Sequence, residues 1–236
     1  MLNNNIIALL ITFTISLVWL RINDFFAHKG WISSHISRKI IHMGTGLLFV
    51  LCWILFNDDP LSRYLATLVP FVITIQFLLV GTGIIKDDAA VKAMSRSGDR
   101  REILRGPLFY GIIFIIITLF YWKDSAIGIT ALMLLCGGDG FADILGRKFG
   151  KKPLPWAKNK TWMGSLGMFL GGWVFSTFIL AIYTHYGVLL GTISTYIFPI
   201  TLVTFIGTVT ESLPLKDIDN ITITLISIIA GIFLFP

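Results

Sequence analysis

Eight apolar runs divide this sequence, and they constrain the fold more than any other feature. They cover roughly Ile6–Leu20, Ile40–Phe56, Leu65–Ile85, Leu108–Trp122, Ser125–Gly138, Gly164–Tyr183, Val188–Val209 and Ile221–Phe235. An α-helix needs about 20 apolar residues to cross a bilayer, and several of these runs fall short of that. The fifth is the shortest, and it is expected to continue as a helix through Asp139 and Asp143. The expected fold is all-α: a polytopic integral membrane protein of about eight transmembrane helices, forming one membrane-embedded domain over residues 1–236.

Composition supports this. The chain is 55% hydrophobic and 14% charged, with mean hydropathy +0.81, against about 25% charged residues in a soluble domain. The net charge of +6 is therefore read through its placement, and no nucleic-acid partner is expected. Seventeen of the 19 Lys and Arg fall in the connections after runs one, three, five and seven. That alternation is what the positive-inside rule predicts for eight spans. It puts the basic connections on the cytoplasmic face and both termini on the opposite face. Ten of the 13 acids fall on the basic side too. Cations that only set topology or grip anionic lipid do not need such company, so one polar face reads as a site.

Cys52 and Cys136 sit inside apolar runs and are expected to be buried thiols. No cleavable leader is expected, because Met1–Asn5 carries no basic residue. Gly164, Gly167 and Gly171 share one side of the sixth run and predict close helix packing. Pro70 and Pro199 predict kinks.

The chemistry concentrates in residues 137–165, GGDGFADILGRKFGKKPLPWAKNKTWMGS. Asp139 and Asp143, four apart, share a helical face and repel unless a cation neutralises them. Mg²⁺ is commonly held by one or two carboxylates plus substrate phosphates, so this pair is the candidate metal site. Arg147, one turn further, can pair with Asp143 or reach a ligand. Lys151, Lys158, Lys160 and Thr161 precede the sixth run, and Gly164 and Ser165 open it. Free amides at residues 162–164, with the positive helix end, predict an anion pocket, although Thr161 can equally be a plain N-cap. A Walker A loop is excluded, since Gly150-Lys151 is followed by Lys152 rather than Ser or Thr.

Other polar residues fall on the same predicted face. Arg38, Lys39 and His42 open the second run. Glu102 lies among arginines that include Arg105. Glu211, Asp219 and Asn220 lie between the last two runs and could form a second metal- or hydroxyl-binding patch.

The segments RKIIHMGTG (38–46), REILRGPLFYG (101–111), GDGFADILGRKFG (138–150), KNKTWMGS (158–165) and ESLPLKDIDNITI (211–223) resemble the phytol kinase and dolichol kinase group of CTP-dependent polyprenol kinases. The resemblance runs in order over most of the chain beyond the first run and looks closer to the phytol and farnesol kinases. A more distant similarity is to phosphatidate cytidylyltransferases. The resemblance implies CTP and Mg²⁺ near Asp139, Asp143, Lys158, Lys160 and Thr161, with Arg147 nearby. It implies phosphoryl transfer from CTP to the hydroxyl of an isoprenoid alcohol such as phytol or geranylgeraniol, lying among membrane lipids at the interface. Asp143, Glu211 and His42 are candidate proton acceptors, and Lys160 a candidate for neutralising developing charge. Two other readings stay open: CTP-dependent cytidylyl transfer to a lipid phosphate, and a non-enzymatic transporter or lipid scaffold whose charges only set topology.

Overall fold

Every apolar run is helical in the computed structural model, which describes residues 2–95, 97–214 and 219–236. The chain divides into two compact units, Met1–Phe120 and Tyr121–Pro236. The protein is 78% helical, and the described residues include seven helices long and apolar enough to cross a membrane. This is a polytopic all-α membrane protein. An eighth apolar helix, Asp219–Leu234, has 16 residues. At 1.5 Å per residue it is about 24 Å long, short of a hydrocarbon core of about 30 Å.

The first unit contains α1 (Leu2–His28), α2 (Ser34–Cys52), α3 (Ser62–Thr82), α4 (Asp88–Met94) and α5 (Gly106–Phe120). A 3₁₀ turn at Trp53–Leu55 extends α2, and another at Arg100–Leu104 precedes α5. α1 packs on α2, α3 packs on α5, and the short α4 lies against α1 and α2. The helix starts follow local chemistry. The Ser33 hydroxyl accepts from the Ile36 amide, and the Asp87 carboxylate accepts from the Ala90 amide at 3.0 Å. Each satisfies a donor that the first helical turn leaves without a partner. Pro70 lies inside α3.

The second unit begins with α6 (Ala126–Met133), a π-helical turn (Leu134–Gly138) and α7 (Asp139–Phe149), which run on as one 24-residue helix. The continuation through both aspartates is as the sequence predicts. The π turn was not legible there. It widens one turn of the helix immediately before Asp139, a placement typical of functional sites. A hairpin follows, β1 (Pro153–Leu154) antiparallel to β2 (Ala157–Thr161), with Pro153 opposite Thr161 and Leu154 opposite Ala157. Then come α8 (Trp162–His185), α9 (Ile193–Glu211, with Pro199 inside) and α10 (Asp219–Leu234).

α8 shows how this unit is built. Leu166, Leu170, Val174 and Phe178 recur every four residues and are exposed, the side a spanning helix gives to lipid. Gly164, Gly167 and Gly171 are buried on the other side. A Cβ on Gly167 would lie 2.6 Å from the Phe141 carbonyl oxygen, and one on Gly171 would run into that of Gly137. The backbones of α7 and α8 therefore touch, as the glycine spacing predicts. In lipid, such helix association rests on van der Waals contact and small residues rather than on water exclusion. Leu134, Met168, Val203 and Ile223 fill the centre. Cys52 and Cys136 are free and buried.

Candidate active site

Asp139 opens α7 and Asp143 sits one turn on, both half-buried. Arg147 donates its Nε–H to Asp143 Oδ1 at 2.8 Å, and its own side chain is 58% exposed against 20% for the aspartate. Of the two roles open to Arg147, pairing with Asp143 is the one seen. The carboxylates stand next to the close α7–α8 seam, where Gly164 and Gly146 approach each other: a Cβ on Gly146 would lie 3.3 Å from Gly164 Cα.

Thr161 is the N-cap of α8, its hydroxyl accepting from the Gly164 amide at 3.1 Å. The Trp162 amide donates to the Lys152 carbonyl at 3.3 Å. The expectation of free amides across residues 162–164 is thus corrected: the hairpin and the cap take two of the three. Ser165 Oγ is buried and has no hydrogen-bond partner among the described residues. Lys151 and Lys158 are exposed.

Lys160 behaves differently from these lysines. Its ammonium reaches the carboxylate of Glu211 and donates to the Glu211 carbonyl at 2.7 Å. Asp219 Oδ2 lies 3.7 Å away. Lys160 is 15% exposed and Glu211 9%. The adjacent pair repeats the connection: the Trp156 indole N–H lies 3.1 Å from the Ser212 carbonyl oxygen and 3.3 Å from its hydroxyl. Trp156 also meets Trp162 edge to face at 5.9 Å. The structure so brings together Lys160, Glu211 and Asp219, candidates spread over 60 positions of sequence. Asn220 follows in the first turn of α10, its carbonyl accepting from the Thr224 hydroxyl at 2.8 Å. Of the basic and acidic residues between the last two spans, Lys216 and Asp217 lie outside the described residues.

Arg38, Lys39, His42, Glu102 and Arg105 belong to the first unit. Lys39 is buried and His42 half-buried on α2. Tyr110 lays its ring 4.4 Å from that of His42 and donates its hydroxyl to the His42 carbonyl at 2.6 Å. The rings continue through Phe114, 4.6 Å from Tyr110, to Phe49. Glu102 Oε1 accepts from the Ser97 hydroxyl at 2.8 Å, so it orders its own loop. Arg105 is exposed.

Tyr110, Trp156 and Ser212 lie inside the segments 101–111, 137–165 and 211–223 but are not among the site residues expected from the sequence, and the π turn is not foreseen at all. Only Trp156 carried a signal: Trp156, Lys158 and Lys160 repeat every second residue, as on one face of a strand.

Among the described residues, no three His, Cys, Asp or Glu side chains gather closely enough to hold a metal ion by themselves. The pair Asp139 and Asp143 still matches the donors that Mg²⁺ takes when phosphate oxygens complete its shell. Glu211 and Asp219, by contrast, already share an ammonium.

Comparison with known proteins decides the family. The chain is 38% identical over 214 residues to a probable chloroplastic phytol kinase of Triticum aestivum, covering 90% of this chain and 71% of that one. It is 38% identical over 209 residues to phytol kinase 1, chloroplastic, of Arabidopsis thaliana, covering 88% and 69%. The chain belongs to the phytol/polyprenol kinase family. A farnesol kinase of Arabidopsis thaliana, also chloroplastic, is 39% identical over 209 residues, covering 88% and 68%. The phytol/polyprenol kinase match thus extends over both compact units, since neither unit alone is as long as the matched region. No family model and no solved structure matches the chain.

Proposed function

We propose that this protein transfers the γ-phosphoryl group of CTP to the hydroxyl of an isoprenoid alcohol at the membrane interface. The observation that carries the reading is its 38–39% identity to phytol and farnesol kinases over nearly nine-tenths of the chain. The site chemistry agrees with it. Phosphoryl transfer asks mainly for positioning and charge neutralisation.

Asp139 and Asp143 would hold Mg²⁺, which supplies screening of the phosphate charges when bound. Lys158, exposed on the hairpin, offers a cation to the phosphates, with Lys151 and the positive end of α8 in support. Arg147 holds Asp143 in one rotamer and sets the direction of its second oxygen. Exposed apolar helix faces such as Leu166–Phe178 present a surface compatible with an isoprenoid chain in the bilayer. The charge alternation of the connections supports a cytoplasmic nucleotide site with both termini opposite.

Purified protein with a panel of prenyl alcohols and labelled nucleotides tests this. Label from the γ position of CTP, but not the cytidine moiety, should enter the lipid, and CTP should outperform ATP. Cytidine in the lipid would mean nucleotidyl transfer, and no transfer at all would mean a transporter or scaffold.

A further inference from the structure

We infer that Lys160 is a positioning residue, an internal counter-ion that fixes Glu211 and Asp219, rather than a ligand of the nucleotide phosphates. The inference deepens the kinase reading and rests on it. A lysine ammonium has three N–H donors. Here the Glu211 carboxylate and the Glu211 carbonyl both draw on them, and Asp219 lies within Coulombic reach. The charges of Asp139 and Asp219 also bear on Glu211, and the Lys160 ammonium is the cation that offsets them there. Turning Lys160 toward a phosphate would leave Glu211, 9% exposed, without its cation. An uncompensated charge in so dry a place is strongly unfavourable.

The consequence is geometric. Lys160 ties the hairpin to the last residue of α9 and the first of α10, and so holds both ends of the connection between them. Trp156, bonded to Ser212, is the second pin. Lys158, two residues earlier and exposed, is left as the phosphate-facing cation of this strand.

Equilibrium binding of labelled CTP and turnover at saturating CTP, measured on Lys160→Met and Lys160→Arg, test the assignment. The expected result is CTP affinity within about threefold of the parent for Lys160→Met, turnover down about tenfold or more, and substantial recovery in Lys160→Arg, which keeps the charge. A tenfold loss of CTP affinity in Lys160→Met overturns the inference, whatever turnover does; so does unchanged turnover. Should Lys160→Met fail to fold, the Lys160→Met/Glu211→Gln pair leaves no unpaired carboxylate at 211, and its CTP affinity is read against the same limits. A thermal-unfolding cycle over Lys160→Met, Glu211→Gln and the pair needs no nucleotide. The double variant should melt no lower than the worse single one, and additive losses overturn the inference. If the parent protein neither binds CTP nor transfers its phosphoryl group, the kinase reading fails, and this cycle still decides the role of Lys160.

Discussion

Arg147 and Asp143, one helical turn apart on α7, form an ion pair of 2.8 Å in which the arginine is mostly exposed and the aspartate mostly covered. Asp143 would thus serve two cations in the proposed reaction, the guanidinium it holds here and Mg²⁺. Exposed i, i+4 pairs are worth little to stability, about 0.3–0.5 kcal/mol. Arg147→Gln should therefore leave the melting temperature nearly unchanged. It should lower the Mg²⁺ concentration for half-maximal activity about twofold, the equivalent of that pair energy. A higher Mg²⁺ requirement would show that Arg147 serves the phosphates instead.

The α7–α8 seam should tolerate no added carbon. Gly167→Ala places a methyl 2.6 Å from the Phe141 carbonyl, and overpacking of backbone against backbone costs about 1–3 kcal/mol. Gly171→Ala should behave alike against Gly137. Gly106→Ala, with no atom within 4 Å of the new Cβ, is the control and should be neutral. Thermal unfolding in detergent separates the three.

Thr161 caps a 24-residue helix through a single hydroxyl. Thr161→Ala should cost about 1 kcal/mol of stability and Thr161→Ser very little. A Thr161→Ala protein with unchanged stability but weakened CTP binding would reassign the hydroxyl to the ligand.

The long helices could be read from the sequence because each contains an apolar run, and apolar runs have one way to cross lipid; the short α4, Asp88–Met94, carries no such run and could not. The Asp139–Asp143 relation was equally legible, because it needs only the helical repeat. So was the glycine face of α8. The hairpin was not: Pro153–Thr161 has a two-residue first strand and no apolar alternation to mark it. The π turn at Leu134–Gly138 adds one residue to a helical turn without altering composition. Lys160 and Glu211, 51 residues apart, show the limit most clearly. Both were legible as site candidates, but which of six nearby cations meets which acid depends on how α8 and α9 pack. Thr161 was legible as a possible N-cap of α8, but the bond from the Trp162 amide to the Lys152 carbonyl, made by the hairpin, was not.

The most direct test of the proposed kinase chemistry is γ-phosphoryl transfer from CTP to phytol or farnesol by purified Asp139→Asn protein, set beside the unmodified chain and a melting curve for each. The unmodified chain should label the alcohol, and Asp139→Asn should keep its fold but lose transfer by about a hundredfold or more, the scale of a lost charge-stabilising group. An Asp139→Asn protein that still phosphorylates the alcohol at the parent rate would contradict it.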